Sequence, residues 1–262
     1  MPADVPVSRV ALLTGVGRSR SIGAGLAVGL AGDGWDLALS YWTPYDERLG
    51  YERTPTDPEK VADQCRALGS RVVLLSSDLA EADVPSRLVT STAEQLGPVT
   101  ALVMSHCESV DSSILSTTVE SWDRHFAVNA RATWLLIKAF AEQLPGGPAP
   151  AGEVRGRIVA LTSDATAHNT PYGASKGALD RIVIAAALEL ADQGVRANVI
   201  NPGGIDTGWM SEEIRATAVA RTPAGRLGTP KDTADLVVFL LSDAGSWING
   251  QLLYSNGGFR TS

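Results

Sequence analysis

The residues in this sequence that most clearly suggest chemistry are a tyrosine and a lysine four positions apart. Tyr172 and Lys176 follow Pro171 in the stretch PYGASKGAL. Proline suits the first turn of a helix, because its missing N–H would have no partner there. On such a helix, the two side chains would lie one turn apart on the same face. A phenol beside an ammonium could then donate a proton to a carbonyl oxygen or accept one from an alcohol.

That chemistry depends on the surroundings of the pair. Tyrosine has a pKa of about 10, and lowering it to about 7 requires roughly 4 kcal/mol of preferential stabilisation of the phenolate. A nearby ammonium in a partly dry cleft could supply much of this energy. The same spacing is also common on solvated helices, so the pair indicates catalysis only together with a cofactor site.

A glycine-rich loop provides that second signal. The stretch TGVGRSRSIGAG, residues 14–25, follows the first predicted strand and opens the first predicted helix. Glycines let the backbone approach a pyrophosphate, and the start of a helix offers free N–H groups and a positive dipole end. In this context the loop predicts a dinucleotide site. The residues expected to contact the cofactor there are Gly15, Gly17, Arg18, Arg20, Ser21, Ile22 and Gly23.

Two arginines in the loop bear on the choice between NADP and NAD. Guanidinium groups bind phosphate well, so Arg18 and Arg20 could contact a 2′-phosphate or could simply lie in solvent. An NAD site typically has an acid near the end of the second strand. Here the strand ends in Ser40 and Tyr41, and Asp46 comes only later. The sequence therefore favours NADP(H), with NAD(H) possible.

Short apolar runs alternate with longer amphipathic stretches along the chain. Strands are predicted at 10–13, 36–41, 71–75, 99–104, 156–161, 195–200 and 251–254, and helices at 22–32, 58–68, 84–96, 119–144, 172–193 and 230–241. The strands lack strict alternation, as expected for strands buried on both faces. This pattern predicts an α/β fold with one parallel sheet covered by helices on both faces. Segments 42–57, 146–152 and 206–228 interrupt it.

Composition excludes several classes of protein. The net charge of −7 argues against a nucleic-acid surface, which would need a basic face. Cys65 and Cys107 are too few for a disulfide framework and fit a reducing compartment. The N-terminus lacks an apolar signal core, and no apolar run is long enough to span a membrane. We therefore expect a soluble, cytoplasmic, single-domain protein.

Five motifs, in order along the chain, resemble those of the short-chain dehydrogenase/reductase family. They are SSDLAE with Asp78, FAVNARATWLL with Asn129, Tyr172-x-x-x-Lys176, NPGGIDTG at 201–208, and NGGF at 256–259. The resemblance covers essentially the whole chain. It implies a doubly wound Rossmann fold, residues 1–262, with seven parallel strands in the order 3-2-1-4-5-6-7.

The resemblance also implies roles for individual residues. Tyr172 would be the acid/base, and Lys176 would lower its pKa and hold the nicotinamide ribose. Asn129 would position a water that leads protons toward Lys176, and Ser163 would bind the substrate oxygen. Further cofactor contacts would come from Tyr41, Asp78, Leu79, Ser105, Pro202, Gly203, Ile205 and Thr207.

Three departures from the family pattern stand out. The glycine loop is long and has Ser21 where a glycine is usual, as in the enoyl-reductase branch. That branch, however, separates its tyrosine and lysine by six residues. Ser105, His106 and Cys107 replace Asn-Ala-Gly, and we expect His106 and Cys107 to pack rather than bind a metal. The stretch between Ser163 and Tyr172 is short, so Thr162 or Thr166 could replace Ser163.

These features favour an NADP(H)-dependent reductase of a ketone, such as a 3-oxoacyl thioester. A lid at 206–228 would place Trp209 and Met210 over a partly hydrophobic substrate, with His168 nearby. A non-catalytic dinucleotide-binding or sensor protein, or a divergent enoyl reductase, remains an alternative. In the family, the helices at 119–144 and 172–193 pair across subunits, which implies a homo-oligomer, either a tetramer or a dimer.

Overall fold

The computed structural model describes residues 9–51 and 53–259 of the chain. Within these ranges, seven strands form one parallel sheet in the order β3-β2-β1-β4-β5-β6-β7, which confirms the predicted fold. The strands are β1 (Val10–Thr14), β2 (Asp36–Tyr41), β3 (Val72–Ser76), β4 (Ala101–Met104), β5 (Gly156–Leu161), β6 (Val195–Asn201) and β7 (Leu252–Tyr254). The predicted domain bounds of 1–262 include residues 1–8, 52 and 260–262, which lie outside the described residues, and the bounds stay a prediction.

The central strand β1 shows why the strands read as continuous apolar runs. All five of its residues are buried. Val10 and Leu12 belong to the core on one face of the sheet, and Ala11 and Leu13 to the core on the other. Since successive side chains on a strand point to opposite faces, a strand covered on both sides needs apolar residues at every position.

Helices cover both faces of this sheet. One core contains residues of α4 (Val84–Leu96), α6 (Ala132–Glu142) and α7 (Thr170–Glu189). The opposite core contains residues of α1 (Ile22–Gly32), α3 (Asp57–Ala67) and α9 (Pro230–Leu241). Each face of the sheet is thus covered by three helices, as in a doubly wound fold.

The helix predicted at 119–144 is not continuous. It consists of α5 (Val119–His125), a π-helical segment (Phe126–Arg131) and α6. A π segment inserts an extra residue into a helical turn and is frequent at functional sites. This one places Asn129 in the buried interior, with no exposed surface.

Two short helices lie in the segments that interrupt the sequence pattern. Helix α2 (Thr43–Arg48) follows β2, and α8 (Glu212–Ala220) lies in the segment 206–228. Pro44 lies in the first turn of α2, and the hydroxyl of Ser211 caps α8 by accepting from the N–H of Ile214. Neither has the apolar periodicity of a core helix, which is why the sequence pattern does not reveal them. Among the described helices, none is long and apolar enough to cross a membrane.

Candidate active site

The predicted site residues converge on one cleft of about 710 Å³. Loops that follow each of the strands β1 to β6 form it, at the carboxyl ends of the strands, where parallel sheets bind ligands. The cleft is lined by Gly15, Gly17, Arg18, Ser21, Ile22, Gly23, Tyr41, Asp78, Leu79, Ser105, Ser163, Tyr172, Lys176, Pro202, Gly203, Ile205, Thr207, Trp209 and Met210. Of the predicted residues, all of which the structure describes, Arg20, Asn129 and His168 lie outside this lining.

The glycine loop is built by close backbone contacts. Gly15 has a φ of +84°, a conformation that disfavours other residues, and a Cβ there would lie 2.6 Å from the main-chain oxygen of Ser105. A Cβ on Gly23 would lie 2.4 Å from the main-chain oxygen of Gly15. Ser21 caps α1 by accepting from the N–H of Ala24 at 3.0 Å. The start of α1 therefore packs against β1 and lines the cleft, as a pyrophosphate site requires.

Arg18 lies inside the cleft, bridging three elements. Its Nε is 3.2 Å from Oδ1 of Asp46 in α2, and its Nη1 donates to the main-chain oxygen of Thr207 at 3.2 Å. Its guanidinium also stacks over the ring of Tyr51, 4.6 Å from the centroid. Asp46 is nearly buried, and this burial raises its pKa despite the arginine. Asp46, whose place relative to the cofactor site the sequence left open, thus contacts Arg18.

Arg20 occupies the outer rim instead. Its guanidinium pairs with Asp206 at 3.7 Å, and 63% of its side chain is exposed. Asp206 also pairs with Arg215 of α8. Arg20 therefore links the glycine loop to the lid, and the two arginines that the sequence grouped together have different surroundings.

Tyr172 lies in the first turn of α7, at the floor of the cleft. Thr170 and Pro171 begin the helix, and the close approach of Gly173 to Ala165 packs this turn against the loop after β5. Ser163 lines the cleft beside Tyr172, and its hydroxyl accepts from the N–H of Ala165 at 3.1 Å. Burial raises the pKa of Tyr172, and the Ser163 side chain opposes the effect. The serine that the sequence favoured thus shares the cleft with the tyrosine.

Lys176 is almost fully buried, and its ammonium binds main-chain oxygens. Nζ donates to Leu161 at 2.9 Å and to His106 at 3.5 Å. It lies 5.9 Å from the centroid of the Tyr172 ring. Burial lowers the pKa of Lys176. The sequence predicts that Lys176 lowers the pKa of Tyr172, but burial dominates here and that pKa is raised.

Asn129 anchors the catalytic helix from behind. Its side-chain oxygen accepts from the N–H of Glu108 at 2.8 Å, and Nδ2 donates to the carbonyl of Glu108 at 2.8 Å. Nδ2 also donates to the hydroxyl of Ser175 at 2.9 Å, and Ser175 donates to the carbonyl of Tyr172. The amide therefore ties the loop after β4 to the first turn of α7.

His106 packs beneath the cleft, as expected from the sequence. Nδ1 lies 2.7 Å from the hydroxyl of Thr14, and Nε2 lies 3.1 Å from the carbonyl of Val128. A carbonyl can only accept, so Nε2 donates and Nδ1 accepts from Thr14. Burial lowers the pKa of His106 to about 3. Among the described residues, no cluster of three or more His, Cys, Asp or Glu side chains is arranged to hold a metal ion.

An ionic network that the sequence did not suggest borders the cleft near Asp78. Arg124 lies 3.2 Å from Asp78 and 3.3 Å from Glu108, which also pairs with Arg48. Glu108 is almost completely buried. The same residue thus holds Asn129 through its backbone and two arginines through its carboxylate. No sequence motif marks this network, since its members come from α2, α5 and the loops after β3 and β4.

The lid holds Trp209 and Met210, two of the three predicted substrate contacts. The third, His168, lies in another loop. Trp209 is half exposed and lines the cleft with Met210. Ile205 pairs with Gly228 in an isolated parallel bridge, which fixes both ends of the lid. His168 has a φ of +63° in an exposed loop, and its main-chain oxygen accepts from the N–H of Ser112. The structure does not bring the His168 side chain to the cleft.

Comparison with known proteins agrees with this architecture. Residues 15–260 match the family described as "Enoyl-(Acyl carrier protein) reductase". The chain is 31% identical over 275 residues to "Short-chain dehydrogenase/reductase FrzI" of Cladobotryum sp, covering 99% of each. It is 32% identical over 264 residues to "NADPH-dependent aldehyde reductase-like protein, chloroplastic" of Arabidopsis thaliana, covering 96% of this chain and 94% of that one.

A solved structure extends the likeness to three dimensions. A blue fluorescent protein from a metagenomic library, in complex with NADPH, superimposes with a TM-score of 0.81 at 29% identity, covering 97% of this chain and 98% of that one. The matched region includes the glycine loop, the Tyr172–Lys176 helix and the lid. The chain therefore belongs to the short-chain dehydrogenase/reductase family of oxidoreductases.

Proposed function

We propose that this protein reduces a ketone to an alcohol with NADP(H), using Tyr172 as the proton donor. The observation that carries the proposal is that Tyr172, Ser163 and Lys176 line the same cleft as the glycine loop. One hydroxyl can deliver a proton while the other fixes the oxygen that receives it. A non-catalytic dinucleotide-binding protein would not need this pair.

The residues of the cleft fit a dinucleotide. The start of α1 and the backbone of Gly15 and Gly23 would hold the pyrophosphate, and Asp78 would lie at the adenine end. Arg18 is a cation inside the cleft that could meet a 2′-phosphate, and two similar proteins carry NADPH in their names. NADP(H) is therefore the proposed cofactor, and when bound it would supply the hydride.

Proton transfer follows from the protonation states of the buried pair. A raised pKa keeps the phenol of Tyr172 protonated at neutral pH, which is the form that donates to a carbonyl oxygen. Lys176 would hold the ribose, and its charge would stabilise the phenolate left after transfer. Asn129 fixes the first turn of α7 through Ser175, and in the family a water beside it leads protons toward Lys176.

The lid indicates a partly apolar substrate. Trp209 and Met210 line the cleft beside Ile214 of α8. A 3-oxoacyl thioester or a similar carbonyl compound would suit this surface. The spacing of Tyr172 and Lys176 favours a carbonyl over the conjugated double bond named in the description of the matching family.

We also propose that the protein acts as a homo-oligomer, a dimer or a tetramer, in the cytoplasm. Large apolar side chains remain exposed on the single chain, notably Trp134 of α6, Phe239 of α9, and Trp247 before β7. Burial of such surfaces drives subunit association. The acidic net charge of −7 gives no support to a nucleic-acid partner.

Product analysis on an α,β-unsaturated ketone tests this proposal. The protein is incubated with the enone and with NADPH or NADH, and the products are separated by mass spectrometry and NMR. We expect the allylic alcohol, formed faster with NADPH than with NADH. A saturated ketone as the product would support an enoyl reductase instead. No oxidation of either cofactor with the enone or with saturated ketones would support a non-catalytic protein.

A further inference from the structure

The lid helix α8 lies over the cleft with little apolar packing. None of its nine residues is buried, and Ile214, which lines the cleft, is 48% exposed. By contrast, the core helix α9 buries five of its residues. Burial of apolar surface therefore contributes little to the position of α8, and polar contacts decide where the lid lies.

The glycine loop contacts three successive residues at the start of the lid. Nη2 of Arg20 lies 3.7 Å from Oδ1 of Asp206, and Nη1 of Arg18 donates to the main-chain oxygen of Thr207 at 3.2 Å. The third residue, Gly208, has a φ of +82°. A Cβ at Gly208 would lie 3.1 Å from Cζ of Arg20, so the guanidinium packs directly on the lid backbone.

Asp206 joins the glycine loop to α8 through one carboxylate. Its Oδ1 faces Arg20, and its Oδ2 accepts from Nη1 of Arg215 in α8. The N–H of Asp206 donates to the main-chain oxygen of Gly228 at 2.9 Å, where the lid ends. The hydrogen bond from Arg215 and the charges of both arginines hold the pKa of Asp206 below its ordinary value. The carboxylate is therefore charged at neutral pH, as an ion pair requires.

Arg20 is well placed to connect the lid to the dinucleotide loop without touching a ligand. It directly precedes Ser21, whose hydroxyl caps α1 at the start of the expected pyrophosphate site. Its side chain is 63% exposed and lies outside the cleft lining. The position of Arg20 is thus set by the loop, while its guanidinium contacts only the lid side of the rim.

The size of this interaction suits a lid that must open and close. An exposed ion pair shifts an equilibrium by about fivefold at most. For a helix packed on the sheet, such a contribution would be small beside apolar burial. For α8, which has no buried residue, it is a substantial part of the free energy that separates the open lid from the closed one.

We propose that Arg20 is a positioning residue, which latches the lid to the glycine loop through Asp206 and so holds Trp209 and Met210 over the substrate. Because a closed lid retains the substrate, the latch should lower the KM for the ketone rather than accelerate proton transfer. The latch itself stands on the contacts between the loop and the lid, whereas its effect on KM rests on the proposed ketone reduction.

Hydrogen exchange and kinetics of three variants test the latch. Arg20→Gln removes the charge, and Arg20→Lys keeps it. Arg87→Gln is the matched control, because Arg87 forms a similarly exposed pair with Asp83 at α4, outside the cleft lining. Amide exchange of residues 212–220 is followed by mass spectrometry without ligand, since an undocked helix of nine residues unfolds in water and exchanges. The KM and kcat for 2-decanone and the Kd for NADPH are measured for each protein.

We expect α8 to exchange about threefold faster in Arg20→Gln than in the parent, and KM to rise by a similar factor. The kcat and the Kd for NADPH should stay within about twofold of the parent, and Arg20→Lys and Arg87→Gln should resemble the parent throughout. Raising the salt concentration from about 50 to about 500 mM should speed the exchange of α8 in the parent but much less in Arg20→Gln, because salt screens the pair.

Unchanged exchange of α8 in Arg20→Gln would overturn the inference, whether or not the protein reduces ketones. Weaker NADPH binding with unchanged exchange would assign Arg20 to the cofactor and would also overturn it. Faster exchange of α8 in a protein that does not reduce 2-decanone would support the latch and count against the proposed ketone reduction.

Discussion

The ammonium nitrogen of Lys176 lies 2.9 Å from the main-chain oxygen of Leu161, at the end of β5. This bond holds the lysine on the sheet rather than on the phenol of Tyr172. Both groups are buried, and burial disfavours the charged form of each. The pKa of Lys176 is therefore lowered and that of Tyr172 is raised, so the lysine loses its proton first as the pH rises.

The deprotonation of Lys176 before Tyr172 predicts how kcat decreases at alkaline pH, along the alkaline limb of the pH profile. We expect kcat for ketone reduction to fall as the pH approaches the lowered pKa of Lys176, below the ordinary lysine value of 10.5, because the charge that stabilises the phenolate is then lost. Lys176→Arg keeps the charge and should remove this limb at reduced overall activity. The measurement is kcat between pH 6 and pH 10 for both proteins. An identical limb in the variant would assign it to Tyr172 instead.

The buried amide of Asn129 should matter for stability. Asn129→Ala leaves the N–H and the carbonyl of Glu108 without their partner, and unsatisfied buried groups cost about 1–3 kcal/mol each. We expect a loss of about 2–4 kcal/mol in the free energy of unfolding, measured with urea. Ser175→Ala, which removes one hydroxyl from the same network, should cost about 1 kcal/mol. Equal stability of Asn129→Ala and the parent would contradict these assignments.

The buried, neutral ring of His106 should make the folded protein less stable at acid pH. Burial lowers its pKa from 6.5 in the unfolded chain to about 3 in the folded protein, so the neutral ring stabilises the fold above pH 6.5. Below pH 6.5 the unfolded chain binds a proton that the folded protein does not. The contribution then falls by about 1.4 kcal/mol per pH unit until about pH 3. Urea unfolding between pH 7 and pH 4 measures this slope.

The control for this prediction is His106→Asn, which keeps a polar side chain but cannot titrate. The variant should be less stable at neutral pH, because it loses the packing and one of the two bonds to Thr14 and Val128. Its stability should depend less on pH between 6.5 and 4. An equally steep slope in the variant would show that other groups cause the acid sensitivity.

Alanine substitutions of two glycines in α1 distinguish the effect of close packing on stability from that of helix propensity. Gly23→Ala places a methyl group 2.4 Å from the main-chain oxygen of Gly15, so α1 must shift away from β1. We expect it to lose about 2 kcal/mol or more of stability and to weaken NADPH binding. Gly32→Ala meets no atom within 4 Å and should gain up to about 1 kcal/mol. Thermal unfolding and NADPH titration of both variants provide the comparison.

Much of the fold could be predicted from the sequence, because burial on two faces leaves a clear pattern. Helices α1, α4 and α9 begin and end where the sequence predicts, and so do β2 and β5. The break in the helix at 119–144 was missed, since a π-helical turn changes the hydrogen bonding without interrupting the apolar pattern. The small helices α2 and α8 were missed because they pack over the cleft rather than on the sheet.

The site was predictable where the residues are fixed by a local motif, and less so where contacts join distant segments. Tyr172 and Ser163 line one cleft, although the short stretch between them left Thr162 and Thr166 open as replacements for the serine. Arg18 and Arg20 are two positions apart, yet Arg18 binds Asp46 inside the cleft and Arg20 binds Asp206 at the rim. These tertiary contacts cannot be read from the local sequence. The bonds of Lys176 to main-chain oxygens leave no trace in the sequence.

Removing the hydroxyl of Tyr172 tests the central claim most directly. The kcat/KM for a ketone that the parent reduces is measured for Tyr172→Phe, with Tyr254→Phe as the control and with the Kd for NADPH measured in each. We predict a loss of 100-fold or more in Tyr172→Phe, about the lower limit for a general acid, with NADPH affinity within about threefold of the parent. Reduction by Tyr172→Phe at a rate within threefold of the parent would contradict the account.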